Sequence, residues 1–356
     1  MKTIAIICDY VLRPDRIGGM DRFFRLFDEQ LKKQGHIVEW YVTDYIPFDF
    51  YKDLTIYNAN GLRVEQYFLN TCMLDDKKYD SIVTHFTELC TSFYKHYHQR
   101  FPEVKVIAVD HNPRPVEGFS FKKRIFKKIK SIRFSRYINV FVAVSDYSKK
   151  QLIKDFSSII TSKIKVVLNG IEIDKVQLKT SYLNKHKFVV ASHLRKEKGI
   201  QDVLQAIANL PKELKEIVTL DIYGEGAYEK ELIKITETLN LTTQINFKGS
   251  VDDLHLRYQK YDYLLHASYG ETYCYAVVEA LSAKLPVITT NDIGNVLQLV
   301  KHNHNGFLFD VGDVNGLAKI LKNILTRSEM ITSFHNVKIP NMSLQNMVEN
   351  HIKLLA

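Results

Sequence analysis

Cysteine is scarce in this chain of 356 residues: Cys8, Cys72, Cys90 and Cys274 lie far apart and form no C-x-x-C pair. That pattern excludes a disulfide framework and a thiolate zinc site, and it predicts four reduced thiols in a reducing cytoplasm. Long apolar runs are missing as well. Nothing approaches the roughly 20 residues that span a bilayer, and Met1 to Asp9 reads as a strand that turns acidic, without the cleavage site of a leader. No D-x-D stands at a strand end; Asp75-Asp76 and Asp252-Asp253 are adjacent pairs in turns, so neither a metal nor another cofactor is demanded. RNP, helix-turn-helix and zinc-finger patterns are absent, which argues against nucleic acid as a partner. No low-complexity segment or short-period repeat occurs.

What is present is the composition of a soluble protein with sizeable cores, 46% hydrophobic and 25% charged residues. The length suits two domains. In the first half, apolar segments at Thr3–Cys8, Ile37–Val42, Ser81–Thr84, Val104–Val109, Val140–Val144 and Ile164–Val167 read as strands, with helical spacing at Asp21–Lys33 and Tyr147–Asp155. The second half repeats the plan. Its strands are Phe188–Ser192, Val218–Tyr223, Ile245–Phe247, Tyr263–His266, Val287–Thr289 and Phe307–Phe309; its helices are Gly199–Asn209, Tyr228–Leu239, Tyr275–Lys284 and Val314–Leu325. This alternation predicts an α/β protein of two Rossmann-like domains, 1–170 and 171–341, with Gly170–Lys187 as the hinge. Two such domains facing each other would hold a ligand in the cleft, outside the carboxyl ends of the strands. After Pro340, Met342 to Leu355 reads as one more amphipathic helix.

The most informative segment follows the apolar run Tyr263–His266. Glu271 falls in the loop after that strand, and Glu279, separated from it by seven residues, lies about one turn into the next helix. A strand, a loop and a helix N-terminus make a site where main-chain N–H groups and the helix dipole favour phosphate. Carboxylates repel phosphate, so Glu271 and Glu279 are suited instead to accept hydrogen bonds from sugar hydroxyls on either side of a diphosphate. The arrangement points to a nucleotide-sugar. Surface carboxylates on a helix-capping loop are the plain alternative.

This segment resembles the E-x7-E signature of retaining glycosyltransferases of the two-domain GT-B architecture (glycosyltransferase group 1 and family 4). Matching motifs run in order along nearly the whole chain. Gly18 and Gly19, in the turn that opens the first helix, resemble the family's glycine loop over the donor diphosphate. His111 stands where the family has a histidine at the catalytic face; His85, ending the preceding strand, and Arg16 are the acceptor-side candidates. Between Val189 and Gly199 the family places an Arg and a Lys five residues apart to neutralise the diphosphate. Lys198 matches the Lys, but His193 occupies the Arg position, so either His193 donates there or Arg195 supplies the charge. The turns at Gly224 and at Gly249 to Val251 resemble those that enclose the nucleobase.

The resemblance implies catalytic roles for His111, Lys198 and Glu271, ribose binding by Glu279, and phosphate binding by the amides of Cys274, Tyr275 and Ala276. Members often carry Gly where Thr272 and Cys274 stand, so side chains are expected to crowd this loop. Thr290 to Asn295 resembles a further glycine loop, with Gln298 where an acid is usual. The implied activity is metal-independent transfer, with retention, of a hexose or N-acetylhexosamine to a glycan or lipid-linked acceptor of the cell envelope. A UDP-sugar is the expected donor. The first domain would bind the acceptor and the second the nucleotide-sugar, and the helix at 342–356 would pack back on the first.

Charge adds a second theme. A net charge of +9 suits an anionic partner. Lys122 to Arg136 contains eight basic residues and no acid, and Phe121, Ile125, Ile129 and Ile132 fall there at helical spacing. One reading buries that stripe in the core beneath a solvated basic face. Another lays the helix on an anionic membrane, making a cytoplasmic protein peripheral at the inner face of the cell membrane. The competing functions are a basic protein for nucleic acid or another anionic polymer, and a sugar phosphorylase or epimerase on the same two-domain plan.

Overall fold

Strands buried on both faces form parallel sheets, and the apolar runs here do so: Ile4 to Cys8 is wholly inaccessible. The computed structural model describes the chain apart from residues 16, 76, 113, 116, 117, 184, 185 and 335–341. It divides into two units, Met1–Pro113 with Glu117–Gly170 and Asn341–Ala356, and Arg114–Val116 with Ile171–Pro340.

The first unit runs β1 (Thr3–Leu12), α1 (Gly19–Lys33), β2 (Ile37–Tyr45), β3 (Ile56–Asn58), α2 (Val64–Leu74), β4 (Ser81–His85), α3 (Ser92–Arg100), β5 (Lys105–Asp110), α4 (Phe121–Phe134), β6 (Val140–Ala143), α5 (Asp146–Phe156) and β7 (Ile164–Val166). Its seven strands are ordered β3-β2-β1-β4-β5-β6-β7, so the order reverses between β1 and β4. The first strand is longer than Thr3–Cys8. After a register shift between Cys8 and Val11 it pairs again, Val11 with Asp44 and Leu12 with Tyr45. Sequence spacing also passes over β3, α2 and α3. β3 has three residues, and the apolar side chains that α2 buries form a narrow row, Val64, Phe68 and Cys72.

The second unit runs β8 (Lys187–Ala191), α6 (Ile200–Ala208), α7 (Lys212–Ile217), β9 (Thr219–Tyr223), α8 (Glu229–Thr238), β10 (Ile245–Gly249), β11 (Tyr263–His266), α9 (Tyr275–Ser282), β12 (Val287–Thr290), β13 (Gly306–Phe309) and α10 (Val314–Leu325). Its sheet is ordered β10-β9-β8-β11-β12-β13, all parallel, with the reversal between β8 and β11. Each unit is therefore a Rossmann-like α/β layer structure with its own core.

The last helix, α11 (Leu344–Lys353), belongs to the first unit. Ser343 caps it by accepting from the Asn346 amide at 3.2 Å, and it buries Leu344, Met347, Val348 and His351. His351 packs on Phe23 of α1 with ring centroids 4.8 Å apart.

The basic helix α4 lies the other way round from a core helix. Its inner side carries Ser131, fully buried, with Lys127 3.6 Å from Asp155 and Lys130 2.7 Å from Glu88. Phe121, Ile125, Phe126, Ile129 and Ile132 are 43–76% exposed. The core reading of that stripe is thereby overturned, because polar partners on the first unit hold the opposite side of the helix inward.

Candidate active site

Glu271 sits five residues beyond the end of β11, on one side of the reversal in the second unit's strand order. Its Oε1 accepts from Lys198 Nζ at 2.6 Å and lies 3.0 Å from His266 Nε2. A carboxylate in this setting can only accept, so Nε2 carries the proton. Burial alone would push the Glu271 carboxyl up; the Lys198 charge and the His266 hydrogen bond outweigh it and hold the group well below the usual carboxylate range.

Lys198 comes into place through its neighbour. Gly199 has φ +67°, and a Cβ there would stand 2.0 Å from the Ala267 carbonyl oxygen. Only glycine lets the turn at Lys196–Lys198 abut β11 that closely, which carries Lys198 to Glu271. The turn is also fixed by the Tyr269 amide donating to the Glu197 carbonyl at 2.8 Å.

The helix α9 begins at Tyr275, so the amides of Cys274, Tyr275 and Ala276 open it at the positive end of its dipole. Crowding of this loop is less than the sequence suggests. Tyr273 and Cys274 turn inward and are 2% and 6% exposed, with the Cys274 thiol donating to the Gly294 carbonyl at 3.2 Å. Cys274 nonetheless adopts φ +74°, the left-handed region that favours glycine. One turn on, Glu279 Oε2 accepts from the Tyr258 hydroxyl at 3.0 Å.

Donor atoms of His266, Glu271 and Cys274 lie within 4.8 Å of one another, a spacing a metal could use. The Lys198 ammonium already occupies the cation position at the carboxylate, and burial raises the Cys274 thiol far above its ordinary value, so it stays protonated.

The other residues expected on the donor side cluster at the carboxyl ends of β8, β9 and β10. The Leu194 amide donates to the Glu225 carbonyl at 2.9 Å and the Gly224 amide to the Gly249 carbonyl at 2.9 Å, stitching the His193, Gly224 and Gly249 turns together. The Ser250 amide donates to Glu225 Oε1 at 3.3 Å, and Val251 follows, half-buried. His193 and Arg195 are both exposed, and Arg195 pairs with Glu197 at 3.5 Å.

In the first unit, His85 ends β4 and His111 follows β5. Their rings are joined, Nδ1 of His85 to Nε2 of His111, at 2.9 Å, and Phe86 stacks on His111 with centroids 4.5 Å apart. Burial lowers both imidazoles, His111 to about 3, so both are neutral near pH 7. Gly18 caps α1 and donates its amide to Asp21 Oδ2 at 2.7 Å; Gly19 begins the helix. Arg16 lies outside the described residues.

Sequence reasoning passes over His266 and Tyr258. The signal for His266 was available, since an ionisable residue closing a buried apolar strand is what singles out His85. Tyr258 lies in a short 3-10 turn, and no local pattern links it to Glu279.

The family follows from the two halves together. The family described as "Glycosyltransferase Family 4" matches residues 17–175 and "Glycosyl transferases group 1" matches residues 171–336. The chain belongs to the GT-B glycosyltransferases. N-acetyl-alpha-D-glucosaminyl L-malate synthase of Bacillus anthracis is 28% identical over 160 residues, 44% of this chain and 41% of that protein. A Campylobacter jejuni α-1,4-N-acetyl-D-galactosaminyltransferase named for a diNAcBac-PP-undecaprenol substrate is 25% identical over 199 residues, 54% of this chain and 55% of its own. The chain thus spans about half the length of these curated relatives. Anabaena HepE, solved with UDP-glucose, superposes with a TM-score of 0.74 at 19% identity over 100% of this chain and 99% of that one.

Proposed function

We propose that this protein transfers a hexose or N-acetylhexosamine from a nucleotide-sugar to a cell-envelope glycan or lipid-linked acceptor, with retention and without a metal. The observation that carries this reading is Lys198 ion-paired to Glu271 beside the amides that open α9, at the reversal of the strand order. A helix N-terminus and an ammonium stabilise the charge that develops on a departing diphosphate. Glu271 accepts from the hydroxyls of the transferred sugar and Glu279 from the ribose. His111, neutral, is the hydrogen-bonding group that the first unit offers a sugar. The acceptor hydroxyl attacks from the face that the diphosphate leaves, and the leaving oxygen takes its proton.

UDP is the favoured nucleotide because HepE was solved with UDP-glucose, and a lipid-linked acceptor is favoured by the Campylobacter relative's name. No helix among the described residues is long and apolar enough to cross a membrane. The outward stripe of α4 supports peripheral association with the inner face of the cell membrane.

The test is a mass-spectrometric donor screen with EDTA present, pairing each nucleotide-sugar with water and a panel of glycan acceptors. Release of UDP that continues with chelator and is lost in Lys198→Ala supports the reading. Activity that vanishes with EDTA and returns with Mg²⁺ or Mn²⁺ refutes its metal-independent part.

A further inference from the structure

Glu271 has two partners of different kinds. Lys198 reaches it through a flexible four-carbon chain that ends in a point charge. His266 is held on every side. It closes β11 in register with Thr289 of β12, and the Thr289 hydroxyl lies 2.9 Å from His266 Nδ1 and 3.0 Å from its carbonyl oxygen. The loop after β12 closes over the ring: a Cβ on Gly294 would come within 3.1 Å of Nδ1 and 2.2 Å of the Thr289 hydroxyl. The imidazole is only 7% exposed.

Both partners use the same carboxylate oxygen, Oε1. A diphosphate entering the site competes with Glu271 for the Lys198 ammonium. When Lys198 turns to it, a nearly buried carboxylate loses its ion pair, which is costly unless a hydrogen bond remains.

We propose that His266 is the positioning residue of this site: clamped by Thr289, it fixes the Glu271 carboxylate through Oε1 while Lys198 moves to the donor diphosphate, leaving Oε2 directed to the sugar hydroxyls. This rests on the function proposed above. His266 touches neither sugar nor phosphate in this account and acts only through Glu271. Its loss therefore impairs turnover of the sugar donor without weakening the nucleotide's hold.

The experiment compares His266→Leu, His266→Gln and Thr289→Val. Turnover of the nucleotide-sugar found in the donor screen and calorimetric affinity for the free nucleoside diphosphate are measured for each. His266→Leu is expected to lose about a hundredfold in kcat, the scale of losing one preorganised hydrogen-bond donor, with nucleotide affinity unchanged within about twofold. Gln, whose amide N–H can reach Oε1, should recover about tenfold of that loss, and Thr289→Val should fall between wild type and Leu. Equal turnover in the Leu and Gln variants, or affinity falling in step with turnover, overturns the proposal.

A second measurement does not depend on activity. In Lys198→Ala protein, ¹⁵N NMR of the His266 ring should still show a protonated, slowly exchanging Nε2, because Thr289 and Glu271 hold it without the ammonium. A freely exchanging ring overturns the positioning role even if transfer is observed. A retained Nε2 proton, together with wild-type protein that binds no nucleoside diphosphate, supports the His266–Glu271 clamp and refutes the donor reading instead.

Discussion

At the scale of single residues, Glu279 joins an observed contact to a proposed one, the ribose, and substitutions can separate the two. It accepts from Tyr258, whose hydroxyl is buried and whose acidity is strongly suppressed by burial and by this carboxylate. Glu279→Ala removes a charge-assisted bond to the ribose, about 1.5–3 kcal/mol of nucleotide affinity, and also strands the Tyr258 hydroxyl at about 1–3 kcal/mol of stability. Glu279→Gln keeps an acceptor for Tyr258. It should melt near wild type and still bind the nucleoside diphosphate more weakly, which calorimetry and thermal unfolding together decide. Unchanged affinity in both variants removes Glu279 from the ribose. Cys274 makes the opposite kind of prediction. Its left-handed backbone costs about 1–2 kcal/mol, so Cys274→Gly should melt close to wild type, the lost thiol contact being offset by relieved strain. Cys274→Val, β-branched at the same φ, should melt clearly lower.

Residues of this kind differ in how far sequence reveals them. Glu271 and Glu279 stand out because their spacing places them on a loop and early in a helix, and Lys198 because it matches a motif of the resembled family. His266 matters through Thr289, and that contact depends on which strand lies beside β11 and in what register. Strand order is a long-range property that local spacing does not encode.

At the scale of elements, α4 shows the same limit and yields its own test. The period of Phe121, Ile125, Ile129 and Ile132 reveals an amphipathic helix, yet periodicity says nothing of which side faces inward. That side is chosen by Asp155 and Glu88, which draw Lys127 and Lys130 down and leave the apolar row outside. An outward apolar row flanked by Lys122, Lys128 and Arg133, all exposed, suits insertion into an anionic bilayer interface. Lysines and arginines add about 1 kcal/mol each near such a surface; salt screens that part but not the apolar part. Co-sedimentation with phosphatidylglycerol vesicles should therefore weaken at high salt without vanishing. Replacing Phe121, Ile125 and Ile129 by Ser should lower vesicle partitioning about a hundredfold while leaving nucleotide affinity unchanged. Equal recovery of the triple variant and wild type would leave α4 as an ordinary solvated helix.

At the scale of the whole molecule, the two units should respond differently to acid. The first buries three imidazoles, His85, His111 and His351, the last brought from the C-terminal helix. Burial lowers all three, His111 to about 3 and His351 to about 4. The unfolded chain takes up protons near pH 6.5 that the folded unit refuses, so stability falls as pH drops below about 6.5, by about 2 kcal/mol per ring at pH 5. Asp28, whose carboxyl burial raises, works in the opposite sense as one group against three, and it acts only nearer the carboxylate range. In the second unit the depressed Glu271 carboxylate contributes stability above its unfolded pKa, and that contribution is lost only as pH falls below about 4.5. The first unit should therefore open first. Trp40, the single tryptophan, is buried there and donates its indole N–H to Asp28 at 2.9 Å, so its fluorescence reports that unit alone. The expected result is a fluorescence midpoint between about pH 6 and pH 4.5, with a second far-UV circular dichroism change at lower pH. His351→Leu keeps the packing against Phe23 and removes one titrating ring, so it should move the fluorescence midpoint down. A single coincident transition below pH 4.5, unmoved by that substitution, would show that the buried imidazoles do not govern the acid stability of the first unit.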